Sequence, residues 1–308
     1  MFAAQQGDAD SARILLRAGA KPNDAQPKTG LTPLMIASAM GQREGRGRCC
    51  STMAPIPTSW MRTATPRCTA SCGIPITEST WPRKTQILTI VKSLLKHGAN
   101  PNVRLNQDKE KAAEEIKNGN VAIYGKRTAV TVDEIILQGA TPLFLAAEVN
   151  NLDVIKALVE AGADPLIATE RGTTPLMMAA GAGTDVQRER APEERATAVE
   201  TAKFLVEHGA DVNAAGQYGW TALHAAAYQG LNDVIEYLVS KGAKIDQKDE
   251  FGQTPLSISL SVLTKDIGAR RLQIPRRYRQ DTAELLLKLG ASTLERPGST
   301  WSSSAAAI

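Results

Sequence analysis

Threonines in this chain are set at a period of 33 residues. Thr141 to Thr174 and Thr221 to Thr254 are each 33 apart, while Thr174 to Thr221 is 47, one period with 14 residues inserted. Each threonine opens the same phrase. GATPLFLAAEVNNLDVIKALVEAGADP begins at Gly139, GTTPLMMAAGAG at Gly172, and GWTALHAAAYQGLNDVIEYLVSKGAKIDQKDEFGQTPL at Gly219. A fixed period of this length describes units stacked in a row rather than residues gathered around one core. The two globular domains that 308 residues would otherwise suggest are therefore not required.

Each phrase has a local physical meaning. The Thr174 hydroxyl can accept an orphan backbone N–H while Pro175 takes the first helical position, where a proline loses no hydrogen bond. Leu176, Ala179 and Ala180 then form a narrow apolar face of small side chains. Val154, Ile155, Leu158 and Val159 recur at helical spacing in a second helix, and Gly162 stands where a left-handed residue would end it. One such pair cannot bury its own apolar faces, so its stability comes mainly from its neighbours. The order T-P-L, A-A, apolar run and G-A-D resembles ankyrin repeats, with the family's T-P-L-H box most complete at Thr221, Ala222, Leu223 and His224. The fold class expected is all-α, an ankyrin-repeat solenoid of stacked helix-turn-helix units with finger loops between repeats.

Composition suits such an array. Only 4% of residues are aromatic although 43% are hydrophobic, as expected where helices pack through Ala, Leu, Val and Ile. A net charge of +4 is small for a nucleic-acid binder. No apolar run approaches the roughly 20 residues of a membrane helix.

Residues 1–41 read as truncated N-terminal repeats. Met1, Phe2, Ala3 and Ala4 align with Met177, Met178, Ala179 and Ala180, without the T-P-L cap. This suggests an internal methionine used as the start, with repeats or a secretion signal missing upstream. No signal peptide is visible, and the default compartment is the cytoplasm. From 42 to 86 the helical pattern is replaced by Arg, Cys, Thr, Pro and Trp, and all four cysteines, Cys49, Cys50, Cys68 and Cys72, lie here. They fit a zinc site poorly, because C-C and C-x3-C lack paired spacing and histidines. A disulfide pair in an exported protein is the second alternative. The third, an out-of-frame translation of one repeat, explains more. Read from the third codon base, Met53 followed by Ala54 must yield Gly, and Trp60 followed by Met61 must yield Asp. The shifted Gly then falls 21 residues after Thr32, the distance from Thr141 to Gly162. The cysteines would in that case carry no designed chemistry, and the segment would lack the apolar stripe needed to offset ordering.

The array proper is expected over 87–291, with insertions at 104–137, 184–199 and 263–279, and a flexible tail over 292–308. The first insertion reads as a charged helix and a β-prone hairpin, the second as an extension of a solvated helix. The third holds Lys265, Arg270, Arg271, Arg276, Arg277 and Arg279 against Asp266, a local balance of +5 beside Tyr278. It could meet an acidic partner or a phosphate backbone, or its arginines could bond helix carbonyls.

No catalytic set emerges. His97 and His208 end helices just before Gly-Ala, where a helix C-terminus favours a cation, and His224 belongs to the box, whose histidine in the family bridges neighbouring loops. Gly181 and Gly183 lack the strand and third glycine of a dinucleotide loop. The chain is expected to be no enzyme and to need no metal, cofactor or small-molecule substrate. It should act as a monomer that binds a protein partner, with nucleic acid disfavoured and no membrane span. A regulatory fragment of a larger enzyme or effector, or an anion binder through the Arg-rich loop, is the alternative. The resemblance implies that a partner is gripped by finger tips and the exposed side of the first helices. On this chain the tips are Glu170, Arg171 and Thr173, then Gln217, Tyr218 and Trp220, then Glu250, Phe251 and Gln253. The helix positions are Glu148, Val149, Tyr228 and Gln229. Trp220 and Phe251 could alternatively just pack on the adjacent finger.

Overall fold

A computed structural model describes residues 1–26, 30–40, 84–106, 138–182, 191–261 and 278–293. The cysteine-rich segment up to residue 83, the hairpin expected after residue 106, most of the Arg-rich loop and the end of the tail lie outside the described residues. Every regular element among the described residues is helical. The chain divides into two compact units.

The first unit holds α1 (Phe2–Gln6), α2 (Ala9–Arg17), α3 (Pro33–Ala39) and α4 (Lys84–Lys96). Helix α2 starts at Asp8, whose carboxylate accepts from Ser11 N–H at 3.0 Å. Helices α1 and α2 form one pair and α3 and α4 the next, with α1 on α3 and α2 on α4. Thus α4, although separated from α3 by residues 40–83, completes its helix pair.

The second unit contains α5 (Pro142–Glu148), α6 (Leu152–Glu160), α7 (Pro175–Ala179), α8 (Pro192–Glu207), α9 (Ala222–Gln229), α10 (Asn232–Ser240), α11 (Pro255–Ser259) and α12 (Gln280–Lys288). The short first helices α5, α7, α9 and α11 pack in one row, and α6, α8, α10 and α12 form a second row behind them. Threonine starts each first helix. Thr141 Oγ1 accepts from Phe144 N–H at 3.2 Å, Thr174 Oγ1 from Met177 N–H at 3.3 Å and Thr254 Oγ1 from Ser257 N–H at 3.2 Å. The proline behind each threonine presets the helical φ without losing a donor. Ala146, Ala147, Ala179, Ala180, Ala226 and Ala227 are fully buried, and their small side chains let the rows approach closely. Each second helix then stops at a left-handed glycine. At Gly162, φ is +89°, and Ala163 N–H reaches back to the Leu158 carbonyl at 2.9 Å. Helix α8 is the long one, 16 residues against nine in α6, and its first turn from Pro192 is largely exposed. Ala191 N–H donates to Glu194 Oε2 at 3.2 Å to cap it.

Candidate partner-binding face

The fingers of the second unit are built by tight turns. Thr169 N–H donates to the Thr173 carbonyl at 3.0 Å, Gly216 N–H to Trp220 at 2.8 Å and Asp249 N–H to Gln253 at 2.9 Å. Adjacent fingers are tied edge to edge. Glu170 N–H donates to the Gln138 carbonyl at 2.9 Å and Glu250 N–H to the Tyr218 carbonyl at 2.8 Å. Arg171 Nη1 donates to Gln217 Oε1 at 2.8 Å, and the Tyr218 and Phe251 rings lie 5.5 Å apart at their centroids. Tyr218 holds this place with φ at +62°, a left-handed conformation that costs a non-glycine residue of order 1 kcal/mol.

The side chains expected at this face separate into two groups. Glu170 and Glu250 are exposed, and Arg171, Gln217, Tyr218, Trp220, Phe251, Glu148 and Val149 are half-buried. The remaining positions need correction, because they are not on an open face. Tyr228 is only 9% exposed, since it packs with Ile258 and meets the Trp220 ring edge-on at 5.9 Å. Gln229 is 6% exposed, and its Nε2 donates to the Gly181 carbonyl at 3.3 Å. Thr173 and Gln253 are buried within their turns. Trp220 is itself engaged inside its own repeat, stacked on His224 at 6.2 Å.

Beneath the aromatic tips lies Asp249, a residue that sequence reasoning did not single out. Its Oδ1 accepts from Gln253 N–H at 2.7 Å and Phe251 N–H at 2.9 Å, which fixes the third finger. Burial raises its carboxyl above the usual range, against the opposing pull of those two N–H groups. The only signal in the sequence was its place five residues before Thr254, where Thr169 precedes Thr174. Thr169 does the same work there, its hydroxyl accepting from Thr173 N–H at 3.2 Å.

The histidines are structural. His97 Nδ1–H donates to the Ser93 carbonyl at 2.8 Å and His208 Nδ1–H to Phe204 at 2.7 Å, each at the end of its helix. In the buried His224, Nδ1 accepts from Thr221 N–H at 3.2 Å while Nε2–H points to the Gln253 carbonyl in the next finger at 3.3 Å. From the Arg-rich loop, Arg279 is turned inward: its Nε donates to the Tyr228 carbonyl at 2.9 Å. Its Cδ would lie 2.7 Å from a Cβ at Gly230, so any larger residue there would have to displace the Arg279 side chain. Among the described residues no group of three or more His, Cys, Asp or Glu could hold a metal ion. Nor is any described helix long and apolar enough to cross a membrane.

Comparison with known proteins places these features. A family model described as ankyrin repeats (3 copies) matches residues 83–188 and 194–267. The chain is 28% identical over 193 residues to a transient receptor potential cation channel subfamily A member 1 homolog of Caenorhabditis elegans, covering 60% of this chain and 14% of that protein. It is 36% identical over 123 residues to ankyrin repeat and SOCS box protein 3 of Bos taurus, covering 40% of this chain and 21% of that one. With human protein phosphatase 1 regulatory subunit 27 the identity is 40% over 57 residues, 18% of this chain and 37% of that protein. The match thus spans well under half the length of each of these relatives. With more than half its length matched by the family model, and with capped helix pairs stacked through alanine faces, the chain belongs to the ankyrin-repeat family.

Proposed function

We propose that the chain is a non-catalytic interaction scaffold that grips a protein partner through the finger tips of its second unit. Ankyrin repeats generally mediate protein–protein interaction. The observation that carries the proposal is the Tyr218–Phe251 pair, two half-buried rings 5.5 Å apart on neighbouring tips, with the exposed Glu250 preceding Phe251 and its N–H bonded to the Tyr218 carbonyl. Rigid aromatics held at an open edge are the groups from which binding anchors are drawn. Arg171 and Gln217, bonded to each other across neighbouring tips, extend the face, and Trp220 beside them in the chain packs edge-on against Tyr228. Glu148 and Val149 would border it on the first helix.

A second proposal, that the chain regulates a larger assembly, draws support from the relatives. One is by name a phosphatase regulatory subunit and another a channel homolog, and the matched region is a small part of each. The two proposals share the same face. An anion site in the Arg-rich loop has less support, because Arg279 is committed to the Tyr228 carbonyl.

The test is retention of partners from source lysate by the immobilised full chain and by a Tyr218→Ala/Phe251→Ala variant. The variant should lose a specific partner, with affinity down about thirtyfold for an anchor pair, while its helical circular dichroism and melting curve stay unchanged. Equal retention by both proteins would remove the finger tips from the proposal.

A further inference from the structure

Four residues after the glycine that ends a second helix, the repeats carry Asn23, Asn102, Leu166, Asn213 and Asp246. Wherever this residue is polar, its side chain hydrogen-bonds to the backbone just after the following second helix. Asn23 Nδ2 donates to the Gly98 carbonyl at 2.9 Å in the first unit. In the second unit Asn102 Nδ2 donates to the Gly162 carbonyl at 2.8 Å while its Oδ1 accepts from Asp164 N–H at 2.8 Å. Asn213 repeats both bonds with the Gly242 carbonyl at 3.0 Å and Lys244 N–H at 2.9 Å. Asp246 accepts from Ser292 N–H at 2.9 Å and from Ser292 Oγ at 2.6 Å. Leu166 has neither donor nor acceptor, and it stands 58% exposed.

We infer that the joint between the α5–α6 repeat and the α7–α8 repeat is a hinge that opens along its outer edge, because Leu166 replaces the polar clamp found at the other joints. The rest of this joint is closed. Helix α5 packs on α7, and Asn150 Nδ2 reaches the Ala179 carbonyl at 3.5 Å. At the finger tip Arg171 is bonded to Gln217, and Gly172 presses so near that a Cβ on it would lie 3.2 Å from Gly216 Cα. With the first helices and fingers tied and the outer base untied, the motion left is a rotation about the inner row that lifts α6 from α8. Such a joint lets the outer row adjust while the finger tips keep their register. Local opening of this kind belongs to segments with fewer cross-links than their neighbours.

The hinge is testable with positions that are equivalent by register, Glu160, Glu207 and Ser240, all exposed near the ends of α6, α8 and α10. In the full chain, with the four cysteines replaced by serine, spin labels at Glu160→Cys/Glu207→Cys report the hinge. Labels at Glu207→Cys/Ser240→Cys report the joint clamped by Asn213. Dipolar broadening should give a distance distribution at least about twofold wider for the first pair than for the second. Adding Leu166→Asn, which restores the clamp chemistry, should narrow the first and leave the second unchanged. Equal widths for the two pairs, or no narrowing with Leu166→Asn in a protein of unchanged helix content, would overturn the hinge. Because neither label pair touches the finger tips, this outcome is independent of whether they bind a partner.

Discussion

His224 shows how one side chain can connect two repeats and set a pH response. Its Nδ1 accepts from Thr221, its Nε2–H serves the Gln253 carbonyl, and burial pushes its pKa down to about 4. An unfolded histidine titrates near 6.5, so below that pH the proton favours the unfolded chain. The contribution of the neutral ring is therefore fully present above about pH 6.5 and is lost as pH falls toward 4. Between pH 7 and 4.5 this amounts to about 2 kcal/mol. Phe144 occupies the equivalent place in an earlier repeat, which makes His224→Phe a suitable control. In urea unfolding, the variant should be less stable than wild type at pH 7 and should close about 2 kcal/mol of that gap at pH 4.5. Carboxylates titrate in both proteins and cancel in the difference, so a gap independent of pH would show that His224 is not the titrating group.

At the scale of the helix, identical residues acquire different weights from what lies over them. Leu15 in α2 aligns with Leu94, Leu158, Leu205, Leu238 and Leu286, each four residues before the glycine that ends its helix. The last five are buried, whereas Leu15 is 50% exposed, and Phe2 and Ile14 beside it are exposed as well. Leu158→Ala should cost about 2 to 5 kcal/mol through lost transfer energy and a cavity. Leu15→Ala should cost less than about 1 kcal/mol, because little apolar area leaves the water in the first place. Chemical unfolding of the two variants checks this, and comparable losses would show that the α2 face is covered in solution. The same comparison applies to α8, whose extension from Pro192 contributes exposed surface and whose Ala198, Ala202 and Leu205 contribute core.

Across the second unit, stability is carried by contacts within each helix pair and between adjacent repeats, since α5, α7, α9 and α11 each pack on the next first helix in the row and on their own second helix. Damage should therefore spread by distance along the row. Leu223 is buried in α9, and Leu223→Ala should remove about 2 to 5 kcal/mol. Hydrogen exchange should rise most in α9 and α10, next in the flanking α7, α8, α11 and α12, and least in α5 and α6. A uniform rise over the unit would mean that it unfolds as one cooperative block.

The period, the Thr-Pro helix starts, the glycine stops and the pairing of helices in the second unit were legible in the residues, because capping and left-handed turns are decided within a few positions of the chain. The finger turns were equally local, and the exposure of Glu170 and Glu250 followed from them. What could not be read was which side chains the neighbouring repeat covers. Tyr228 and Gln229 sit on the first helix where open positions were expected, yet Ile258 and the Gly181 carbonyl, 30 and 48 residues away in the chain, enclose them. Helix α4 completes the pair begun by α3 across residues 40–83, a partnership that no short-range pattern announces. Burial and the closing of a joint belong to the stacked array, since they depend on surfaces that come together only when separate repeats meet.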